Sequence, residues 1–245
     1  MIIVKAVPHR SSSHFETVCC AGIGSDHKWR RLYPVPFRIL AEPQKFKRWD
    51  WLSYDYTSPS NDKRLESQKV IPESLDIVGN LNNAERSRLA NFMTRRNFAD
   101  AEARNETLTL IKPSEISMSW KRRSQDEIDE EKRKHADLVK QISMFDQTAK
   151  PLTPCPYEIR FRWVGEDGIV HNHICDDWES SAAFFKRRQF EGSDEAALKS
   201  LQSTYQEYFA RGMRFAFGTH SRRQTQWLLV GILRVDDQSQ GELLL

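Results

Sequence analysis

Apolar and polar positions alternate in short runs through the first half of the chain. Ile2–Val7, Glu16–Ile23, Trp29–Tyr33, Trp49–Tyr56 and Thr107–Ile111 each have the period of a strand, and Ile116–Arg122 extends the series. Gly24-Ser25-Asp26 forms a turn between the second and third runs. In Trp29-Arg30-Arg31-Leu32-Tyr33-Pro34-Val35-Pro36-Phe37-Arg38 the alternation sets apolar against basic residues, and two prolines are expected to end the strand. Many short strands with basic loops predict a β-rich, small barrel-like N-terminal domain over residues 1–120. Within it, residues 59–83 carry Pro, Ser, Asn and Gly and read as an extended connection, whereas Asn83–Glu106 has helical spacing.

From residue 121 the pattern changes. Residues 121–150 carry acids followed by bases at helical spacing and predict a charged helical linker. Pro151, Pro154 and Pro156 mark a boundary. Residues 151–245 then read as strands Tyr157–Trp163 and Ile169–Ile174, helices Trp178–Gln189 and Ser193–Arg211, and strands Met213–Gly218 and Trp227–Val235. This is an α+β domain of ββααββ order.

Composition narrows the class. With 245 residues, seven Trp and thirteen Phe, the chain can bury a real core. The net charge of +3 is modest, but its distribution is uneven. Residues 1–70 hold twelve Lys and Arg against seven Asp and Glu, whereas residues 151–245 hold eleven against thirteen. Cys19, Cys20, Cys155 and Cys175 follow no signal peptide, and no apolar run spans a bilayer. A reduced, cytoplasmic protein with no membrane partner is expected.

Charge and side-chain chemistry single out several clusters. Lys5, His9, Arg10, Arg30, Arg31 and Arg38, joined by Arg222 and Arg223 of the late loop Phe217–Gln224, suit phosphate oxygens. Ser11–Ser13 and His14 belong to the same surface, and Tyr33, Phe37, Trp49 and Trp51 could stack on bases where exposed. Asp55 with Glu66 and Lys69 offers two carboxylates for a hard cation and a lysine for water, although Glu-x-x-Lys spacing also arises by chance. His171, His173, Cys175 and Asp177 alternate along one strand, with Glu179 opening a helix. This set could hold zinc or magnesium, but Asp176 or Asp177 could equally cap the helix. Walker loops, serine elbows and dinucleotide glycine fingerprints are absent from the sequence.

Several of these segments carry a resemblance. They are His9-Arg10-Ser11-Ser12-Ser13, Cys20-Ala21-Gly22-Ile23, Trp29 to Arg38, Trp49-Asp50-Trp51, Arg64-Leu65-Glu66-Ser67, Asp177-Trp178-Glu179, Phe217-Gly218-Thr219 and Trp227 to Gly231. Together they resemble the SspB-like DNA nickases of the bacterial Ssp single-strand phosphorothioation defence system. The resemblance implies a DNA-nicking endonuclease that acts beside a cysteine desulfurase, an ATPase and an ATP-pyrophosphatase-like protein. Side-chain chemistry then suggests Mg2+ held by Asp55 and Glu66, or by Asp177 and Glu179. Lys69 and His173 would serve the reaction. The alternative is a non-catalytic nucleic-acid-binding adaptor that docks partner proteins.

Overall fold

The computed structural model describes residues 1–7, 18–60, 62–143, 152–220 and 223–236, with side chains of 138–143 outside the description. In chain order the first elements are β1 (Ile2–Lys5), β2 (Val18–Ile23), β3 (Trp29–Val35), β4 (Asp50–Ser53), β5 (Tyr56–Thr57), β6 (Ser67–Val70) and β7 (Asp76–Asn80). Then come α1 (Asn83–Met93), β8 (Thr94–Arg95), α2 (Phe98–Ala103), β9 (Leu108–Ile111), β10 (Glu115–Arg122) and α3 (Gln125–Ser143). The chain finishes with β11 (Tyr157–Val164), β12 (Val170–Ile174), α4 (Trp178–Glu191), α5 (Asp194–Gly212), β13 (Met213–His220) and β14 (Arg223–Arg234). The fold is α+β.

The chain divides into two units: Met1–Asn80 with Trp120–Ile159, and Leu81–Ser119 with Arg160–Leu245. These units are not the consecutive blocks 1–120, 121–150 and 151–245 expected from the sequence. The charged segment forms α3, whose residues cluster with the first unit. It buries Ile128 and is anchored by an Arg123–Glu131 ion pair at 2.6 Å. Ser124 and Glu127 form a reciprocal capping box at its start.

In the first unit the main sheet has the order β1-β2-β3-β6-β5, with β4 and β7 forming a separate two-stranded ribbon. Among the described residues this is an open sheet rather than the expected barrel. β1 and β2 read as continuous apolar strands because both faces are buried. Gly22 is required in β2, since a Cβ there would lie 2.3 Å from the Met1 carbonyl oxygen. β3 does not end at its prolines. It runs through Pro34 to Val35 opposite a register shift between Val18 and Cys20, a place where the ladder tolerates proline. The expected connection 59–83 instead holds β6, which pairs parallel with β3, and β7.

In the second unit β13 is buried along nearly its whole length between β9 and β14, in the order β14-β13-β9-β8. The single helix expected over Asn83–Glu106 is broken. Thr94 and Arg95 pair with Leu110 and Ile111 as β8, and Asn97 then caps a new helix by accepting from the Asp100 N–H at 2.9 Å. α4 ends at Gly192, whose φ of 75° is the left-handed cap that favours glycine. Ser193 immediately caps α5, which buries Ala197, Leu198, Leu201 and Tyr205 as one stripe. β10, β11 and β12 form a three-stranded sheet. Among the described residues no helix is long and apolar enough to cross a membrane.

Candidate nucleic-acid interface

The sequence around β3 and β6 builds one polar sheet face. Leu32, Gln68 and Val70 are buried, so the alternating residues Arg31, Tyr33, Ser67 and Lys69 belong to the opposite, outer face. The register sets Arg31 beside Ser67 and Tyr33 beside Lys69, with Thr57 of β5 on the other side of Lys69. Tyr33 is 37 % exposed and Lys69 is exposed.

The turn entering β6 is held by charge-assisted hydrogen bonds. Asp62 accepts from Arg64 Nε at 2.8 and 3.1 Å, from Arg64 Nη2 at 2.6 Å, from the Arg64 backbone N–H at 3.2 Å and from Ser67 Oγ at 2.8 Å. Burial pushes the Asp62 carboxyl up, but the bonds from Arg64 and Ser67 outweigh it and hold the group at about 2. Glu66 accepts from Arg31 Nη2 at 3.4 Å, both side chains being largely buried. Burial, then the neighbouring Arg64, lowers the Arg31 pKa, and Glu66 opposes them. Burial likewise raises the Cys19 thiol, against the pull of Arg31 and Arg64. Arg31, Lys63, Arg64 and Lys69 therefore stand against Asp62 and Glu66 around the start and outer face of β6, a local excess of positive charge.

Two of the other basic residues expected at the interface, Lys5 and Arg30, are held by structural partners. Lys5 lies 4.7 Å from the centroid of the Phe37 ring and donates to the Phe46 carbonyl at 3.5 Å. Arg30 pairs with Asp26 of the β2–β3 turn at 2.8 Å. Arg38 is half-buried in a 3-10 turn, Phe37–Ile39. Arg223 is exposed at the start of β14, in the second unit. His9, Arg10 and Arg222 lie outside the described residues, as do Ser11–Ser13 and His14. Of the aromatics, Trp49 is buried, Phe37 packs edge-on to Phe46 at 4.9 Å, Trp51 is half-buried in β4, and Tyr33 is exposed on the β3–β6 face.

Asp55 and Glu66 do not come together, and Asp177 is engaged as a helix cap. The Asp55 carbonyl accepts from the Ile71 N–H at 3.0 Å, whereas the Glu66 carbonyl accepts from the Arg31 N–H at 2.8 Å. The two residues thus flank opposite ends of β6, five residues or roughly 16 Å apart along the strand. Asp177 is a helix cap: it accepts from the Glu179 N–H at 3.3 Å and from Ser180 Oγ at 3.0 Å. Ser180 Oγ also meets Tyr205 Oη at 2.5 Å, and Cys175 Sγ donates to it at 3.5 Å. Burial, then Asp177, pushes the Cys175 thiol up to about 12. Glu179 enters this cluster through its backbone.

His171 and His173 point into an aromatic cluster. Trp163 stacks on His171 at 4.3 Å, and Phe98 stacks on Trp227 at 5.1 Å. Trp163 Nε1 donates to His173 Nδ1 at 3.1 Å, which occupies the acceptor nitrogen a general base would use. Burial, then His171, holds His173 at about 4, and burial also lowers His171 against the pull of Asp167. Among the described residues no three His, Cys, Asp or Glu side chains gather as a metal-binding group.

Residues 93–243 match the family described as Domain of unknown function (DUF8757). The chain belongs to that family. Residues 1–95 match a second family, Domain of unknown function (DUF8758), so the two matches meet at β8. No curated protein and no solved structure matches the chain significantly.

Asp62 and Arg64 have a larger part in this site than the sequence suggested. Asp-x-Arg-x-Glu-Ser places a carboxylate two residues before a guanidinium, the spacing of an Asx turn that can close on itself. Leu65, fully outside the core, gave no such signal.

Proposed function

We propose that this chain is a DNA-binding protein that holds the sugar-phosphate backbone along the outer face of β3 and β6. The reading rests on one observation: exposed Lys69 lies in register with exposed Tyr33 on a face whose charge balance is positive. Lys69 and Lys63 meet phosphates, and Tyr33 stacks on an unpaired base. Arg31 and Arg64, already paired, add to the field and stiffen the surface. This is the adaptor reading, which needs only this surface; the nickase would need Asp55 and Glu66, which flank opposite ends of β6, to share a cation. Docking of partner proteins then falls to the second unit. By the resemblance these would be a cysteine desulfurase, an ATPase and an ATP-pyrophosphatase-like protein.

Fluorescence anisotropy with a labelled single-stranded oligonucleotide tests the reading. Lys69→Glu is expected to weaken binding about tenfold, and Tyr33→Ala to cost at least ~1 kcal/mol. Binding unchanged in both variants overturns it. Relaxation of supercoiled plasmid that requires Mg2+ and is lost in Glu66→Ala would instead establish the nickase.

A further inference from the structure

Leu65 is 93 % exposed, more than any other large apolar residue described in the first unit. A fully solvated leucine commonly sits on a loop free to fold it away. Here the backbone on both sides is tied down. Asp62 grips the Arg64 side chain and N–H, the Ser67 N–H donates to the Arg64 carbonyl at 3.0 Å, and the Arg31 N–H donates to the Glu66 carbonyl at 2.8 Å. Leu65 therefore stands on a backbone already held in place, and only its own side chain remains to be ordered by a partner.

Its surroundings indicate the partner's chemistry. Exposed Lys63 lies two residues before it. Beyond the turn, Lys69 of β6 and Tyr33 of β3 lie side by side in register. An apolar protrusion flanked by cations, with an exposed aromatic ring beyond, suits a nucleic-acid duplex better than a pocket on another protein. Phosphates satisfy the cations on either side, and the knob meets the apolar faces of stacked bases.

We propose that Leu65 is a wedge that enters a base step of duplex DNA bound on this face and unstacks it. This rests on the DNA-binding reading above and adds a distortion of the duplex to it.

The test uses the full chain and duplexes carrying 2-aminopurine at successive positions, with binding followed separately by anisotropy. Wild-type protein is expected to raise 2-aminopurine fluorescence several-fold at one step. Leu65→Ala is expected to return it to the level of free duplex and to bind about tenfold more weakly. Leu65→Phe, which keeps a wedge, should restore the signal. Because the side chain is solvated, both variants should melt as wild type does. Duplex binding with no fluorescence rise, or a full rise in Leu65→Ala, overturns the wedge while the binding surface stands. Leu65 would then belong to a contact with another protein. Failure of wild-type protein to bind either single-stranded or duplex DNA overturns the binding surface and the wedge together.

Discussion

At the scale of single residues, the arginine that looks most like a phosphate ligand has a different first task. Arg31 is largely buried against Glu66, so Glu66 is a charge partner before it is anything else. Replacing Glu66 by Ala leaves a desolvated guanidinium with less compensation, an expected loss of about 2 kcal/mol in urea unfolding. Wild-type stability in Glu66→Ala would refute that role. His173 makes a second residue-scale prediction. Its folded pKa of about 4 lies below the ordinary 6.5, so the unfolded chain takes up the proton first. The stability it contributes is complete above about pH 6.5 and is lost as pH falls toward 4. After allowance for the ring's remaining exposure, that loss is about 2 kcal/mol. In His173→Gln this part of the acid-side decline in Tm should vanish. An unchanged decline would assign it to other groups.

At the scale of elements, caps and punctuation were the most legible features. Asp177 before Trp178 and Gly192-Ser193 between two periodic runs mark α4 and α5 from their chemistry alone. Asp177→Ala removes the cap and leaves the Ser180 hydroxyl short of its acceptor. The expected cost is about 2–3 kcal/mol, read by thermal unfolding of the full chain. A change below about 0.5 kcal/mol would show that solvent replaces the carboxylate. Less legible were the elements whose reason for existing is a distant partner. Ser67-Gln68-Lys69-Val70 has a single β-branched residue and no aromatic, yet forms β6 because Arg31–Tyr33 offers it a ladder. Thr94-Arg95 interrupts a helical period for the same reason, pairing with β9. Glu66 and Lys69 stood out in the sequence, but only the turn's geometry shows that Glu66 faces an arginine. A leucine between two charges reads as core until its exposure is known.

At the scale of the whole molecule, each structural unit takes two stretches of the chain, whereas sequence composition suggested consecutive blocks. The N-terminal charge excess is also smaller in effect than in count. Arg30, Arg31 and Arg64 are engaged by Asp26, Glu66 and Asp62; Lys28 and Lys47 are exposed elsewhere in the unit, and Lys63 and Lys69 are the exposed cations around β6. A surface with so few phosphate contacts binds with a shallow salt dependence. The most direct test is the affinity for a short DNA measured across a salt series. The logarithm of the association constant should fall against the logarithm of salt with a slope of about −2, and Lys69→Ala should flatten that slope by about 1. An affinity that ignores salt, or a slope that Lys69→Ala leaves untouched, would contradict the assignment of this face to DNA.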